Sequence, residues 1–319
     1  MKWLSLLTNE WIKIFSRVRT WIFLALPIII IIGVAVYDKV TTDEAENNNW
    51  KQQLTQNIND DKKALEEARK NNDDDFYIEM LESNIKQNEY AIANDISPYE
   101  TTAWQFMKDM APISSLIGLF VIVVASDIVS SEFSKGTIKM LLIRPYSRWK
   151  ILLSKFLATL GFAFVMWLAV IVASWLVGGL AYGFGGMDQV YLTFTEDQQV
   201  KERLIVEYVF LNIGLEFIEL TVLVVLAFMI STLFMSNSIA IGVAMFTMFA
   251  GNIIVTLLAT KDWVIYTLFA NMDLSVLIDG QNQLIKDLTL PFSISVLAVY
   301  TALMLALTFI VFQKRDVKA

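Results

Sequence analysis

The chain has 319 residues, 56% of them hydrophobic, and a formal net charge of −7, with a mean hydropathy of +0.54. Cys and His are absent, which excludes disulfides, thiol nucleophiles, iron–sulfur clusters, cysteine zinc sites, the zincin motif and a Ser-His-Asp relay. The negative average disfavours a nucleic-acid partner, and the apolar excess indicates a membrane protein rather than an ordinary soluble domain.

From the N-terminus, residues 3–18 bring Trp3, Leu4, Leu7, Trp11, Ile14, Phe15 and Val18 onto one helical face, flanked by Lys2, Glu10, Lys13 and Arg17. Such a face predicts an amphipathic interfacial elbow over residues 1–20, on which Glu10 and Lys13 form an i,i+3 surface pair. Six apolar stretches follow, at residues 21–37, 113–129, 157–180, 210–234, 239–260 and 292–312. A helix crossing a hydrocarbon core of about 30 Å needs about 20 residues, and continuous apolarity is the pattern of helices rather than of membrane strands. The first stretch has no clear small-x-small cleavage site before Asp38 and reads as an uncleaved signal anchor. The expected fold class is therefore an all-α membrane protein, with a six-span domain over residues 21–319.

Residues 38–111, between the first two spans, are polar and rich in Asp and Glu. Leu54, Ile58, Leu65 and Ala68, then Phe76, Ile78, Leu81, Ile85 and Ile92, recur at helical spacing on either side of residues 71–75. This predicts an extracellular helical hairpin whose second helix is capped by aspartate. The run at 73–75 lacks the alternating oxygen ligands and central glycine of a calcium loop, so no metal site is expected. Further along, Ser238 with Gly242 and Ala240 with Ala244 would permit close helix approach.

Basic residues orient the spans. The N-terminus, the connection between spans two and three and the C-terminal tail carry thirteen of the 25 Lys and Arg but only four of the 32 Asp and Glu. By the positive-inside rule these segments are cytoplasmic, with both termini inside a bacterial cytoplasmic membrane. Asp127 belongs to the cytoplasmic interface. Glu216 and Glu219, one turn apart in the fourth span, are the carboxylates at hydrocarbon depth, and as such are candidates for a pathway or a proton relay. The alternative is that residues 203–234 exceed one span and begin as an external helix on which both glutamates are wet.

The connection at 131–155 reads SEFSKGTIKMLLIRPYSRWKILLSK. Gly136 can end the helix of the second span, and Thr137 can cap a short helix bearing Ile138, Leu141 and Leu142. Pro145 ends that helix, and Ser147 can cap the next one. Glu132, Gly136-Thr137, Leu141-Leu142, Pro145-Tyr146-Ser147-Arg148 and Lys155 together resemble the corresponding loop of ABC-2 type transporter permeases, a family that includes bacitracin- and sodium-efflux permeases. Asn9-Glu10 in the leader, the six spans and the tail Phe312-Gln313-Lys314-Arg315-Asp316 fit the same resemblance, whereas the large external hairpin lies outside the family's common minimal pattern. The resemblance implies that Glu132 to Arg148 form a coupling helix docked on an ABC ATP-binding subunit. It also implies that a second permease chain, identical or different, completes the pathway.

No G-x-x-x-x-G-K-[ST] phosphate loop occurs, and Gly178-Gly179 and Gly183 to Gly186 lack its lysine and its context. The chain is thus expected to be no enzyme and to bind no cofactor, with ATP and Mg on the partner subunit. The expected function is export of a hydrophobic or amphiphilic substrate such as a peptide antibiotic, lipid or small toxic compound. Two alternatives stand beside it: a proton-coupled secondary transporter using Glu216 and Glu219, and a non-transporting sensor or immunity protein acting through its hairpin.

Overall fold

A computed structural model describes residues 2–41, 49–138, 140, 146–195, 198–280, 284–285 and 288–315. Among them, six helices are long and apolar enough to cross a membrane. These are α2 (Val18–Thr41), α6 (Ile113–Ser134), α7 (Arg148–Tyr182), α8 (Ile205–Leu233), α9 (Asn237–Leu258) and α11 (Leu290–Lys314). The chain is accordingly a multi-pass membrane protein, and each helix contains most or all of one of the six apolar stretches. Helix α7 runs 35 residues, about 52 Å of helix, so it projects beyond the hydrocarbon core.

Helices α6 and α8 form the inner pair. More than half of the apolar window of each is buried, against 11–22% for α2, α9 and α11. Small hydroxyl side chains let the two backbones approach. Ser231 Oγ donates to the Ser126 carbonyl at 2.7 Å and accepts from the amides of Val129 and Ser130 at 3.1 Å. On α9, Ala240 and Ala244 are buried, whereas Ser238 and Gly242 face outward, so only the alanine pair serves helix packing. Arg315 closes the bundle below α8 by donating to the Thr232 and Leu233 carbonyls at 2.5 and 2.8 Å. This satisfies helix-end acceptors that would otherwise be orphaned.

The end of the bundle that carries α1 (Lys2–Phe15) is the basic end. At the opposite, acidic end, α3 (Trp50–Asn71) and α4 (Asp75–Ala93) pair with each other. Arg69–Glu82 and Lys62–Glu89 contacts at 2.6 and 2.7 Å link them, and Asp74 caps α4 by accepting from the Phe76 amide. Their apolar seam holds the buried residues Leu54, Ile58, Ala68, Leu81 and Ile85, with Leu65 half-buried.

Sequence periodicity did not anticipate the antiparallel ribbon beneath this pair. Strands β1 (Val190–Phe194) and β2 (Val200–Leu204) align Val190 with Leu204 and Phe194 with Val200. The ribbon holds α4 through Gln87 Nε2 to the Leu192 carbonyl at 3.1 Å and Tyr90 Oη to Glu202 Oε1 at 3.1 Å. A short helix α5 (Ala103–Asp109) leads into α6. Two 3₁₀ turns, Asp262–Tyr266 and Phe269–Asn271, and the short α10 (Leu274–Asp279) fill the acidic end between α9 and α11. Buried Asn271 braces the turns by donating to the Ile265 and Thr267 carbonyls, both at 2.7 Å.

Gly280 ends α10 at φ +67°, and a Cβ there would stand 2.2 Å from the Phe194 carbonyl oxygen of β1. Gly280→Ala is expected to cost about 2 kcal/mol or more through backbone strain and the clash. A lowered thermal unfolding midpoint of the purified protein in detergent is the measurement that checks it.

Candidate functional site

The basic end is organised around charges that the apolar elements force together. Helix α1 turns sharply into α2 at Ser16 and Arg17. Thr20 Oγ1 and Trp21 Nε1 reach back to the Ile14 and Phe15 carbonyls at 2.6 and 2.9 Å, supplying donors for the open end of α1. The inward face of α1 carries Leu6, Glu10 and Ile14, with Leu7, Trp11 and Phe15 half-buried beside them. Leu4 and Val18, expected on that face, are exposed, because the stripe is rotated to put Glu10 at its centre. Trp11 lays its ring over Gly161 of α7, where a Cβ would meet it at 2.4 Å.

Glu10 is therefore no surface residue: only 5% of it is exposed. Its Oε2 accepts from Lys155 Nζ at 2.8 Å, and its Oε1 accepts from Lys13 Nζ at 3.0 Å. Lys155, on α7, is fully buried, and Glu132, on α6, is its second partner at 3.2 Å. Glu132 Oε1 also takes Lys13 Nζ at 2.8 Å, and Thr137 Oγ1 donates to its other oxygen. Two ammonium groups and two carboxylates thus form a neutral cluster that joins α1, α6 and α7, the arrangement a low-dielectric site requires.

At Lys13, burial pulls the ammonium pKa down, but the hydrogen bond to Glu132 and the charge of Glu10 more than offset this and raise it above the usual 10.5. The stability this contributes is complete below the unfolded-state value and is lost as pH rises through the higher folded one.

A crevice of about 20 Å³ separates this cluster from a second. There Asp127, also buried, accepts from both Arg17 and Arg19 at the α1–α2 turn. The interfacial role expected of Asp127 omitted these two partners.

The loop residues singled out from the sequence divide three ways. Gly136 adopts φ +71° immediately after α6, a turn conformation that a glycine takes without strain. Thr137 Oγ1 is bound back onto Glu132, Ile138 is buried, and the short helix expected after it falls outside the described residues. Leu141, Leu142 and Pro145 lie outside the described residues. Ser147 occupies the N-cap position of α7 but makes no capping hydrogen bond with its side chain. Arg148 points to the tail, donating to the Gln313 and Arg315 carbonyls at 3.2 and 2.8 Å.

Toward the acidic end, Glu216 and Glu219 both line a cavity of about 420 Å³ among α6, α7, α8, α9 and α10. Glu216 accepts from Asn212 Nδ2 at 3.1 Å, and Glu219 accepts from the Leu274 amide at the start of α10 at 2.7 Å. Helix α8 is extended outward by the ribbon, as a segment longer than one span allows, yet neither glutamate is fully exposed. Beyond the cavity, Tyr191 donates to Asp279 at 3.1 Å. Burial pushes the Asp279 carboxyl up, partly opposed by hydrogen bonds from Tyr208 and Tyr191. Among the described residues, no group of three or more acidic side chains is placed to hold a metal ion.

Lys155→Ala leaves two buried carboxylates short of a counter-charge and is expected to destabilise the fold by about 3–5 kcal/mol. Lys13 is 45% exposed at its side chain, and Lys13→Ala is expected to cost less than about 1 kcal/mol. Thermal unfolding of the two variants side by side checks the contrast; equal losses would contradict it.

The family model described as "Protein of unknown function (DUF2705)" matches residues 76–318. The chain is 35% identical over 319 residues to the uncharacterized protein YhcI of Bacillus subtilis (strain 168), covering 98% of this chain and 99% of that protein. It is 30% identical over 208 residues to the uncharacterized membrane protein YdbK of the same organism, covering 65% of this chain and 80% of that one. On the extent of these matches the chain belongs to the DUF2705 family.

Proposed function

We propose that this chain is the membrane-spanning permease subunit of an ABC exporter, moving a hydrophobic or amphiphilic substrate out of a bacterial cell under the drive of a separate ATP-binding subunit. One observation carries this reading: the segment that resembles a coupling loop leaves α6 at Glu132 and Thr137, directly from the buried cluster joining α1, α6 and α7. A push on that segment reaches three helices at once, because the charges that hold it cannot separate cheaply.

In this arrangement the basic end is cytoplasmic, α1 is the elbow helix and the α3–α4 pair is extracellular. Leu141, Leu142 and Pro145 complete the docking segment, together with Met140, 74% exposed, and Trp149, 45% exposed. Glu132, Gly136 and Thr137 shape its root, Ser147 stands at the N-cap of α7, and Arg148 fixes the far end against the tail. ATP and Mg²⁺ are bound by the partner. The outward apolar faces of α9 and α11, including Phe246, Leu257 and Leu303, meet lipid or a second permease chain, identical or different.

A second reading has one observation in its favour. Glu216 and Glu219 share a cavity, as a proton-coupled transporter would require. Transport by the chain alone in proteoliposomes, following a proton gradient and lost in Glu216→Gln, would establish it.

Affinity purification from native membranes in mild detergent, with mass spectrometry of stoichiometric partners, tests the exporter reading. Wild type is expected to recover an ATPase with a phosphate loop. Met140→Asp is expected to lower that recovery by about tenfold or more, the cost of a charge at a buried contact, while leaving the unfolding midpoint unchanged. Absence of any ATPase from the wild-type complex would refute the proposal.

A further inference from the structure

The cavity near the acidic end combines an apolar wall with acidic and unpaired polar groups. Its volume, about 420 Å³, falls in the range of small-molecule sites, about 300–1,000 Å³. Leu220, Leu223, Met248, Phe269 and Met272 make one part of its wall. Glu216, Glu219 and Asp273 make another, and all three are acceptors. Among the described residues no Lys or Arg forms an ion pair with any of them. Among the described residues their hydrogen bonds come from neutral groups: the Asn212 amide, the Leu274 and Val276 backbone amides and the Ser275 hydroxyl.

Two further buried polar atoms here lack partners, one an acceptor and one a donor. Asn212 is 5% exposed and its Oδ1 has no hydrogen-bond partner. It lines an adjoining pocket of about 30 Å³ that shares the walls at Ala111, Ser114, Ile117, Trp167 and Glu216. A buried acceptor left unpaired is costly, and a ligand donor reaching Asn212 Oδ1 from the adjoining pocket removes that cost. Lys108 lines the same pocket, but its ammonium pairs with Asp109 at 3.1 Å and lies 4.7 Å from the Tyr191 ring centre. On the other side, Trp167 Nε1 is a buried donor without a partner, and it calls for one acceptor on whatever enters.

We propose that this cavity binds an amphipathic compound bearing a primary ammonium or guanidinium group and a carbonyl- or sulfonyl-type acceptor. The cationic group sits among Glu216, Glu219 and Asp273 with a donor toward Asn212 Oδ1. The acceptor takes the Trp167 N–H, and the apolar body lies on Leu220, Leu223 and Phe269. The site deepens the exporter reading by naming a substrate class, and it rests on that reading only for the direction of movement.

The test is equilibrium binding to the full chain in phosphatidylcholine nanodiscs, without any ATPase and with empty nanodiscs subtracted. Dansylcadaverine, a fluorescent primary ammonium with sulfonamide acceptors, is compared with its N-acetylated neutral form. The ammonium compound is expected to bind, and the acetylated form to bind about tenfold or more weakly, as the loss of charge-assisted hydrogen bonds dictates. Glu216→Gln and Asp273→Asn, which remove charge and keep shape, are each expected to weaken binding several-fold with unchanged unfolding midpoints. Glu219→Gln adds a third variant should either of the others fail to fold.

Equal binding of the two probes, or wild-type affinity in the folded variants, would overturn the site. Because the readout needs no partner, an absent ATPase leaves a positive binding result standing. Recovery of an ATPase without ammonium preference removes the site and leaves the exporter reading intact.

Discussion

A single buried ammonium governs the basic end of this protein. Removing an amine from water carries an effective penalty of several kcal/mol even after relaxation, and Lys155 bears it because Glu10 and Glu132 stand within 3.2 Å. The two carboxylates arrive on different helices, α1 and α6, so the charge is compensated only when both are docked on α7. An apolar stripe alone would let an interfacial helix slide or roll by a turn at little cost. A carboxylate that must meet one nitrogen fixes its register, and Trp11 against Gly161 adds a shape constraint to the charge constraint.

The cavity follows from an unequal start of neighbouring helices. Helix α8 begins at Ile205, directly after the ribbon, and passes Asn212 and Glu216 before it reaches the level at which α6 starts, where Ala111, Pro112 and Ser114 line the same walls. The cavity therefore opens at the outer turns of α8, runs inward along Ser114, Ser115 and Ile117 of α6, and is roofed by α10 through the Glu219–Leu274 hydrogen bond. Below that level the serine seam of Ser126, Ser130 and Ser231 closes the two helices tightly. Polar groups at the outer level and close packing beneath it are therefore two results of one offset.

The spans were legible because a bilayer imposes a length criterion that local composition meets on its own, and the α3–α4 seam because helical periodicity persists over five turns. Glu10 was misjudged for the opposite reason. An i,i+3 Glu–Lys pair is a pattern of exposed helices, and the residue that draws Glu10 inward lies 145 positions away. Glu216 and Glu219 were flagged by depth, but Asn212 in the adjoining pocket and Trp167 in the shared wall, which carry unpaired polar atoms, look in sequence like ordinary span residues. The ribbon strands are five residues each, too short for alternation to stand out beside long apolar runs.

Helix α7 joins these regions in one piece. Its 35 residues contain no proline, which removes one main cause of a sharp kink. Lys155, clamped at the basic end, and Trp167, in the cavity wall, are twelve residues apart on it, about 18 Å along the axis. A rod of that kind acts as a lever with its fulcrum in the packed middle. Tilting the clamped end by a few degrees swings the tryptophan by about an ångström, the scale that separates a formed hydrogen bond from a broken one.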